Sequence, residues 1–248
     1  MTKYTLSNIL NVIFTQKTSM ILINKENFSD IRNMSIPVLA IDVVIFTIFK
    51  WELCIITQKK EKENWLKHVL PGWIMAKWYS IRENIENLLK RKTWIEWVFY
   101  EQLKTFWEVD RDPRWHVVSI VYYALVWTDN FLHNVDFTQV DIIKYSDIEN
   151  LDFMYDHKKI ISYAKQRLKW KLEYTNVAKD MLSKEFRISQ LQQVYEIILW
   201  EKIDKRNFQK KVFKLWIVKE TWNLDKSTNR PAKLYKFVDK ELKLYEVL

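Results

Sequence analysis

The chain has 248 residues, 48% of them hydrophobic and 29% charged, with a formal charge of +9; that balance excludes a disordered chain, fits one or two packed domains, and favours a polyanionic partner. The longest apolar run, Ile36 to Phe49, contains Asp42 and falls short of the roughly 20 residues needed to cross a bilayer, so no membrane span is expected. Cys54 is the single cysteine and no small-residue cleavage site follows the N-terminus, which excludes an internal disulfide or a cysteine metal cluster and leads us to expect a cytoplasmic protein without a secretory signal.

Residues 1–34 show little pattern, and Met20 or Met34 could equally begin the protein; they are read as an N-terminal extension. From Val38 to Phe49 and from Leu53 to Thr57, β-branched and aromatic residues flank Lys50-Trp51-Glu52, which predicts a hairpin. A loop rich in Lys and Glu is expected next, then the turn Leu70-Pro71-Gly72-Trp73. A helix is expected from Ser80 to Lys92, with Ser80 and Glu83 as a capping box and Ile81, Ile85, Leu88 and Leu89 as its apolar face. Val98–Phe106, Val117–Val126 and Ile142–Ile148 read as strands, the second central because its apolar run is nearly unbroken.

Beyond Asp156 the pattern turns helical. His157–Leu172 places Ile160, Ile161, Ala164 and Leu168 on one face, and Val177–Leu182 begins another helix. Ile188–Leu199 and Asp204–Leu215 form a helix pair, each followed by a tryptophan, and Ile217–Thr221 with Ala232–Phe237 flank a polar tip. Helix, helix, strand, tip, strand is the order of a winged helix-turn-helix. The expected divisions are a sensor-like domain at 35–155, a helical connector at 156–183 and a DNA-binding domain at 184–248.

One glycine against thirteen tryptophans is far from ordinary usage. Trp51, Trp73, Trp200, Trp216 and Trp222 stand where turns and helix C-caps ordinarily use glycine. The expectation is that all thirteen represent UGA codons that the source reads as glycine; the alternative is a protein truly rich in tryptophan.

With that substitution, residues 70–95 read LPGGIMAKGYSIRENIENLLKRKTGI. This resembles the Nudix box, G-x5-E-x7-R-E-U-x-E-E-x-G-U, with Trp73, Trp94 and Ile95 at the anchor positions. In that family the box glutamates hold divalent cations against a diphosphate. Here Tyr79, Asn87, Leu88, Arg91 and Lys92 occupy the carboxylate and arginine positions, so neither a metal nor another cofactor is expected, and no catalytic residue is assigned.

Residues 101–126, EQLKTFGEVDRDPRGHVVSIVYYALV in the same reading, are similar to the Nudix-related transcriptional regulators of the NrtR type. The resemblance implies an α+β chain: a Nudix-fold α/β/α sandwich with a mixed sheet, then a winged helix. It also implies an effector such as ADP-ribose or a sugar, a double-stranded DNA operator and a homodimer. Gly72, Asp110, Arg111, Asp112 and Arg114 are the candidate effector residues. Two readings of the Asp-Arg-Asp-Pro-Arg loop stay open: arginines that clamp phosphate, or a self-paired turn. His68 and His116 are read as satisfied polar groups.

For DNA, the helix from Asp204 presents Lys205, Arg206, Asn207, Lys210, Lys211 and Lys214, with Phe208, Val212, Phe213 and Leu215 as its buried stripe, and Arg230, Lys226 and Lys233 lie on the wing. From Lys184 onward fifteen basic residues face nine acidic ones, so most of the positive charge lies in the last quarter. The leading reading is a ligand-responsive transcriptional regulator. A Nudix hydrolase of a nucleoside diphosphate derivative is the alternative, and an RNA-binding or scaffold protein a third.

Overall fold

The computed structural model describes residues 36–62, 65–76, 78–95, 98–132, 137–227 and 231–245. The expected extension at 1–34 therefore lies outside the described residues, as do Lys77 and Arg230.

Strands β1 (Val38–Phe49) and β2 (Glu52–Lys62) form the predicted hairpin, and Lys50 and Trp51 take φ of 50° and 61° at its turn. Positive φ at both central residues matches the right-handed twist of the strands, which is why glycine and asparagine prevail there. β2 runs on past Thr57 and pairs with β3 (Trp65–Val69), where a loop was expected. Alternation of Lys and Glu hid this extension, because exposed edge strands carry charge on both faces. β4 (Gly72–Ile74) pairs with β1, and α1 (Ile81–Thr93) carries the predicted capping box of Ser80 and Glu83.

β5 (Phe99–Phe106) and β6 (Val117–Val126) complete the middle of a mixed sheet ordered β3-β2-β1-β6-β5, in which β1 and β6 run parallel. A short α2 (Thr128–Leu132) precedes β7 (Val140–Lys144), which pairs with β2; the expected strand through Ile148 instead gives way to a 3-10 turn at Tyr145–Asn150.

β1 is buried on both faces, and its alternation divides the core. Ile41, Val43 and Ile45 pack with Ile85, Leu88 and Leu89 of α1, while Val44 and Phe46 join Ile160, Ala164 and Leu168 of α3 (His157–Tyr174) on the other side. This is the expected helix, sheet, helix layering. The second cluster continues without a break through Leu191 and Val194 of α4 (Ile188–Leu199), then Phe208 and Val212 of α5 (Lys205–Lys214), to Val218 of β8 (Val218–Asp225). The sheet and the C-terminal module thus share one apolar core. Val177–Met181 forms a 3-10 turn rather than a helix, and β9 (Ala232–Phe237) closes the C-terminal hairpin with β8.

Eight non-glycine residues among those described have positive φ, and six are tryptophans: Trp51, Trp78, Trp94, Trp200, Trp216 and Trp222. Trp94 and Trp200 are left-handed C-caps of α1 and α4. Among the residues whose side chains are described, ten tryptophans are exposed, up to 88% for Trp78, and none is buried, whereas Phe46, Phe106 and Phe186 are fully buried.

Candidate functional site

The Nudix-box segment folds as strand, loop and helix: β4, the turn before Ser80, and α1. They enclose a cleft of about 190 Å³ lined by Ile41, Trp73, Tyr79, Asn87, Arg91 and Lys92 among others. All five substituted box positions thus line it, Leu88 while also packing into the core. The carboxylates left on α1 are engaged elsewhere. Glu83 receives hydrogen bonds from the Ser80 N–H and hydroxyl, and Glu86 pairs with Arg82 at 2.8 Å and accepts from the Tyr100 hydroxyl. Among the described residues no group of histidine, cysteine or carboxylate side chains could hold a metal.

Gly72 adjoins this cleft through Trp73, and its role is steric. A Cβ there would stand 2.0 Å from Asp42 Oδ1, so a side chain would displace Asp42, a charged group inside β1 that sequence reading had left unassigned. Asp42 accepts a 2.6 Å hydrogen bond from the Ser119 hydroxyl and lies 3.5 Å from Arg111 Nη2. Arg111 in turn grips Asp156 in bidentate fashion, Nε to Oδ2 at 3.1 Å and Nη2 to Oδ1 at 2.8 Å. Asp156 and His157 open α3, and His157 Nδ1 accepts the Leu70 N–H at 2.9 Å. That bond places the imidazole proton on Nε2, 3.9 Å from Asp42 Oδ1. Burial lowers the His157 pKa more than the nearby Asp42 and Asp156 raise it.

The Asp110–Arg114 loop does not line the cleft. The Arg111 side chain is only 4% exposed and already holds two carboxylates. Asp112 and Arg114 form the self-paired turn, with Arg114 Nε and Nη2 donating to the two Asp112 oxygens at 3.0 and 2.8 Å, and Asp110 is exposed. The Arg114 hydrogen bonds hold Asp112 below the usual carboxylate range. His68 is buried 3.4 Å from the Thr57 hydroxyl, and burial lowers its pKa. Cys54 is buried, which pushes its thiol up to about 11 and leaves it unreactive.

At the other end, Asp204 caps α5 by accepting the Asn207 N–H. Phe208 and Val212 are buried; at about 100° per residue, Arg206, Asn207, Lys210 and Lys214 fall together on the opposite face, with Lys211 at its flank and Lys205, in the first turn, on the side of the buried stripe. All but the half-buried Lys211 are exposed, and among the described residues none of the five cations has an ion-pair partner. Phe213, expected in the buried stripe, is 39% exposed because it turns toward the Tyr235 ring of β9. On the wing, Lys233 is neutralised by Glu220, at 3.0 Å, while Lys226 is exposed. Arg187–Asp225 and Asn223–Glu185 contacts tie the wing to the start of α4.

Sheet, helices and hairpin together define a Nudix-like α+β fold followed by a winged helix. Residues 178–237 match the NrtR DNA-binding winged helix domain. The chain is 26% identical over 208 residues to the ADPR responsive transcriptional repressor NtrR of Acinetobacter baylyi, covering 81% of this chain and 82% of that protein. It is 27% identical over 161 residues to an ADP-ribose pyrophosphatase of Methanocaldococcus jannaschii, covering 64% of this chain and 89% of that one. The structure matches Shewanella oneidensis NrtR, solved with a 27mer DNA, at a TM-score of 0.73 and 26% identity, covering 80% of this chain and 93% of that chain.

Proposed function

We propose that this chain is an ADP-ribose-responsive, DNA-binding transcriptional regulator whose Nudix-like domain binds its effector without hydrolysing it. The observation that carries this reading is the unpaired cation face of α5, joined by one continuous core to the sheet and cleft of the Nudix-like part. Unpaired cations on one helix face attract phosphate, and counterion release makes such binding steep in salt. The regulator from Acinetobacter baylyi supports the choice of effector. Hydrolysis is the reading that the archaeal pyrophosphatase would favour; against it stand Tyr79, Asn87, Leu88, Arg91 and Lys92, which supply no carboxylate for a catalytic cation. The working protein is a homodimer, since winged-helix regulators commonly read paired half-sites. Its parts are the Nudix-like 35–155, the connector 156–183 and the DNA-binding 184–248.

The same reading takes the thirteen tryptophans as glycines in the native protein. In support, six of them hold left-handed backbone, which costs a side-chain-bearing residue about 1–2 kcal/mol each. None of those whose side chains are described is buried, although tryptophan has the largest apolar surface to gain from burial. Peptide mass spectrometry of the native protein tests this, and tryptophan at Trp94 or Trp200 would sink it. The function itself is tested by anisotropy with duplex fragments from the protein's own genome, titrated with ADP-ribose. Tight, sequence-selective binding that ADP-ribose modulates is expected. Binding that survives deletion of residues 184–248 would overturn the reading.

A further inference from the structure

We infer that the turn Tyr155-Asp156-His157, at the head of α3, is the joint through which occupancy of the cleft is carried along α3 to the winged helix. The inference rests on the effector reading above and adds how the two parts of the chain communicate. Apart from the tryptophans, Lys50 and Tyr155 are the described residues with positive φ. Lys50 lies in a hairpin turn, where that conformation is ordinary; Tyr155 does not. At a φ of 58° its Cβ crowds the following carbonyl, and such strain persists only where the surroundings over-determine it. The surroundings do so in two ways. The Tyr155 ring lies 4.9 Å from the Arg114 guanidinium and meets the His157 ring edge-on at 5.3 Å. The two residues that follow are bound to the Nudix-like part, Asp156 by both carboxylate oxygens to Arg111 and His157 by the Leu70 N–H.

These contacts hold the turn that leads into the cleft wall. Leu70 bonds to His157, the Pro71 carbonyl accepts the Val43 N–H at 2.9 Å, and Gly72 abuts Asp42 with no room for a Cβ. The next two residues, Trp73 and Ile74 of β4, line the cleft. A shift of β4 on ligand entry therefore bears directly on Asp42 and on the Leu70–His157 bond. Relaxing Tyr155 out of the left-handed region swings Asp156 and His157 away from their partners, so the head of α3 has two discrete arrangements. Coupling between sites needs such a two-state element. The far end of α3 is fastened to the C-terminal module. Buried Asn176 donates from Nδ2 to the Glu241 carbonyl at 2.9 Å and accepts the Lys243 N–H at 2.8 Å, and the Tyr245 N–H donates to the Tyr174 carbonyl at 2.8 Å. The segment that follows β9 is thus strapped to the end of the helix, and a movement of α3 reaches the winged helix.

The test combines two measurements on the full chain: anisotropy with duplex DNA, with and without saturating ADP-ribose, and hydrogen exchange with and without the DNA. Tyr155→Gly takes the same φ without strain and removes the ring, and Asn176→Ala cuts the strap. Neither residue lines the cleft or lies on α5, so each ligand alone should bind as it does to the parent. The ratio of DNA affinities with and without ADP-ribose should fall at least about three-fold toward one in both variants. Because coupling is reciprocal, DNA should alter exchange in parent peptides covering Leu70 and in those covering Lys243; in Tyr155→Gly only the latter should respond. An unchanged ratio in either folded variant overturns the joint and leaves the effector reading standing. If Asn176→Ala does not fold, Tyr155→Gly carries the comparison alone. If ADP-ribose does not alter DNA binding, yet DNA alters Leu70 exchange in the parent and not in Tyr155→Gly, the effector reading falls and the joint stands. Absence of both responses overturns both.

Discussion

Arg111 and Arg206 stand in opposite electrostatic surroundings. Arg111 is buried in the Nudix-like part with Asp42 and Asp156 both within ion-pair distance, so its charge is spent inside the protein. Arg206 and its neighbours on α5 are exposed and, among the described residues, unpaired, so their charge is available to something outside. Arg111 lies among the acids of the Asp-Arg-Asp-Pro-Arg loop and Arg206 in a basic stretch, so one charge is held inside the fold and the other is open to solvent. An arginine's function is thus read from its counter-charges, not from its type or from the motif around it.

The largest effect is expected from Arg111→Ala. It leaves Asp42 and Asp156 nearly buried without their counter-ion, and breaking a buried pair in this way costs about 3–5 kcal/mol. Chemical denaturation should register that loss. A change below about 1 kcal/mol would mean that water or rearrangement satisfies the carboxylates, and Arg111 would return to the candidates for a phosphate clamp.

On the other side, Arg206→Ala should leave stability unchanged and relax base preference at one step by about 1–3 kcal/mol, measured by competition between duplexes. Lys210 and Lys211 replaced together by alanine should weaken all sequences alike and lower the salt slope by about 1.8, at about 0.9 per lost phosphate contact. A loss of folding in either variant would erase the distinction between the two kinds of cation.

These two regions also differ in how much the sequence discloses. The winged-helix order, the Asp204 cap and the charge pattern of α5 are local, and the structure places α4, α5 and β9 within a residue or two of expectation, whereas β8 runs four residues further, to Asp225. The capping box of α1 is local as well. The buried network is not. Asp42, Arg111, Asp156 and His157 are scattered along the chain and meet only when β1, the β5–β6 loop and α3 pack together. One signal did exist: Asp42 interrupts an apolar strand, and a charge in such a place needs a partner. Nothing local named that partner. β3 escaped for another reason, since its edge position removes the apolar alternation that marks a strand.

The buried network also carries a pH dependence at His157. Its pKa is lowered in the fold by burial, and Asp42, Asp156, Asp112, Arg111 and the Tyr155 ring surround it. The unfolded chain therefore takes up this proton first as pH falls through about 6.5, so stability is constant above that value and falls below it, by at most about 1.4 kcal/mol per pH unit. His68, also lowered, acts in the same direction. His157→Asn keeps an acceptor near the Leu70 N–H and has no proton to gain. Its stability should decline less steeply between pH 6.5 and 5 than that of the parent. Equal slopes would assign the acid sensitivity to His68 or the carboxylates.

The smallest effect is expected at Arg114, where the network meets solvent. Its side chain is 70% exposed while the Asp112 that it grips is 5% exposed, and Asp112 keeps the Arg114 backbone N–H as a donor after truncation. An ion pair open to water on one side is worth about 1 kcal/mol or less. Arg114→Ala should therefore change stability by no more than that and leave ADP-ribose affinity within about two-fold, because the loop does not line the cleft. A phosphate clamp at this arginine would instead cost a charged hydrogen bond, about 1.5–3 kcal/mol of binding. Titrating the variant with ADP-ribose separates these magnitudes: a ten-fold loss of affinity with unaltered unfolding would class Arg114 with the solvent-exposed cations of α5 and leave Arg111 alone as the internal one.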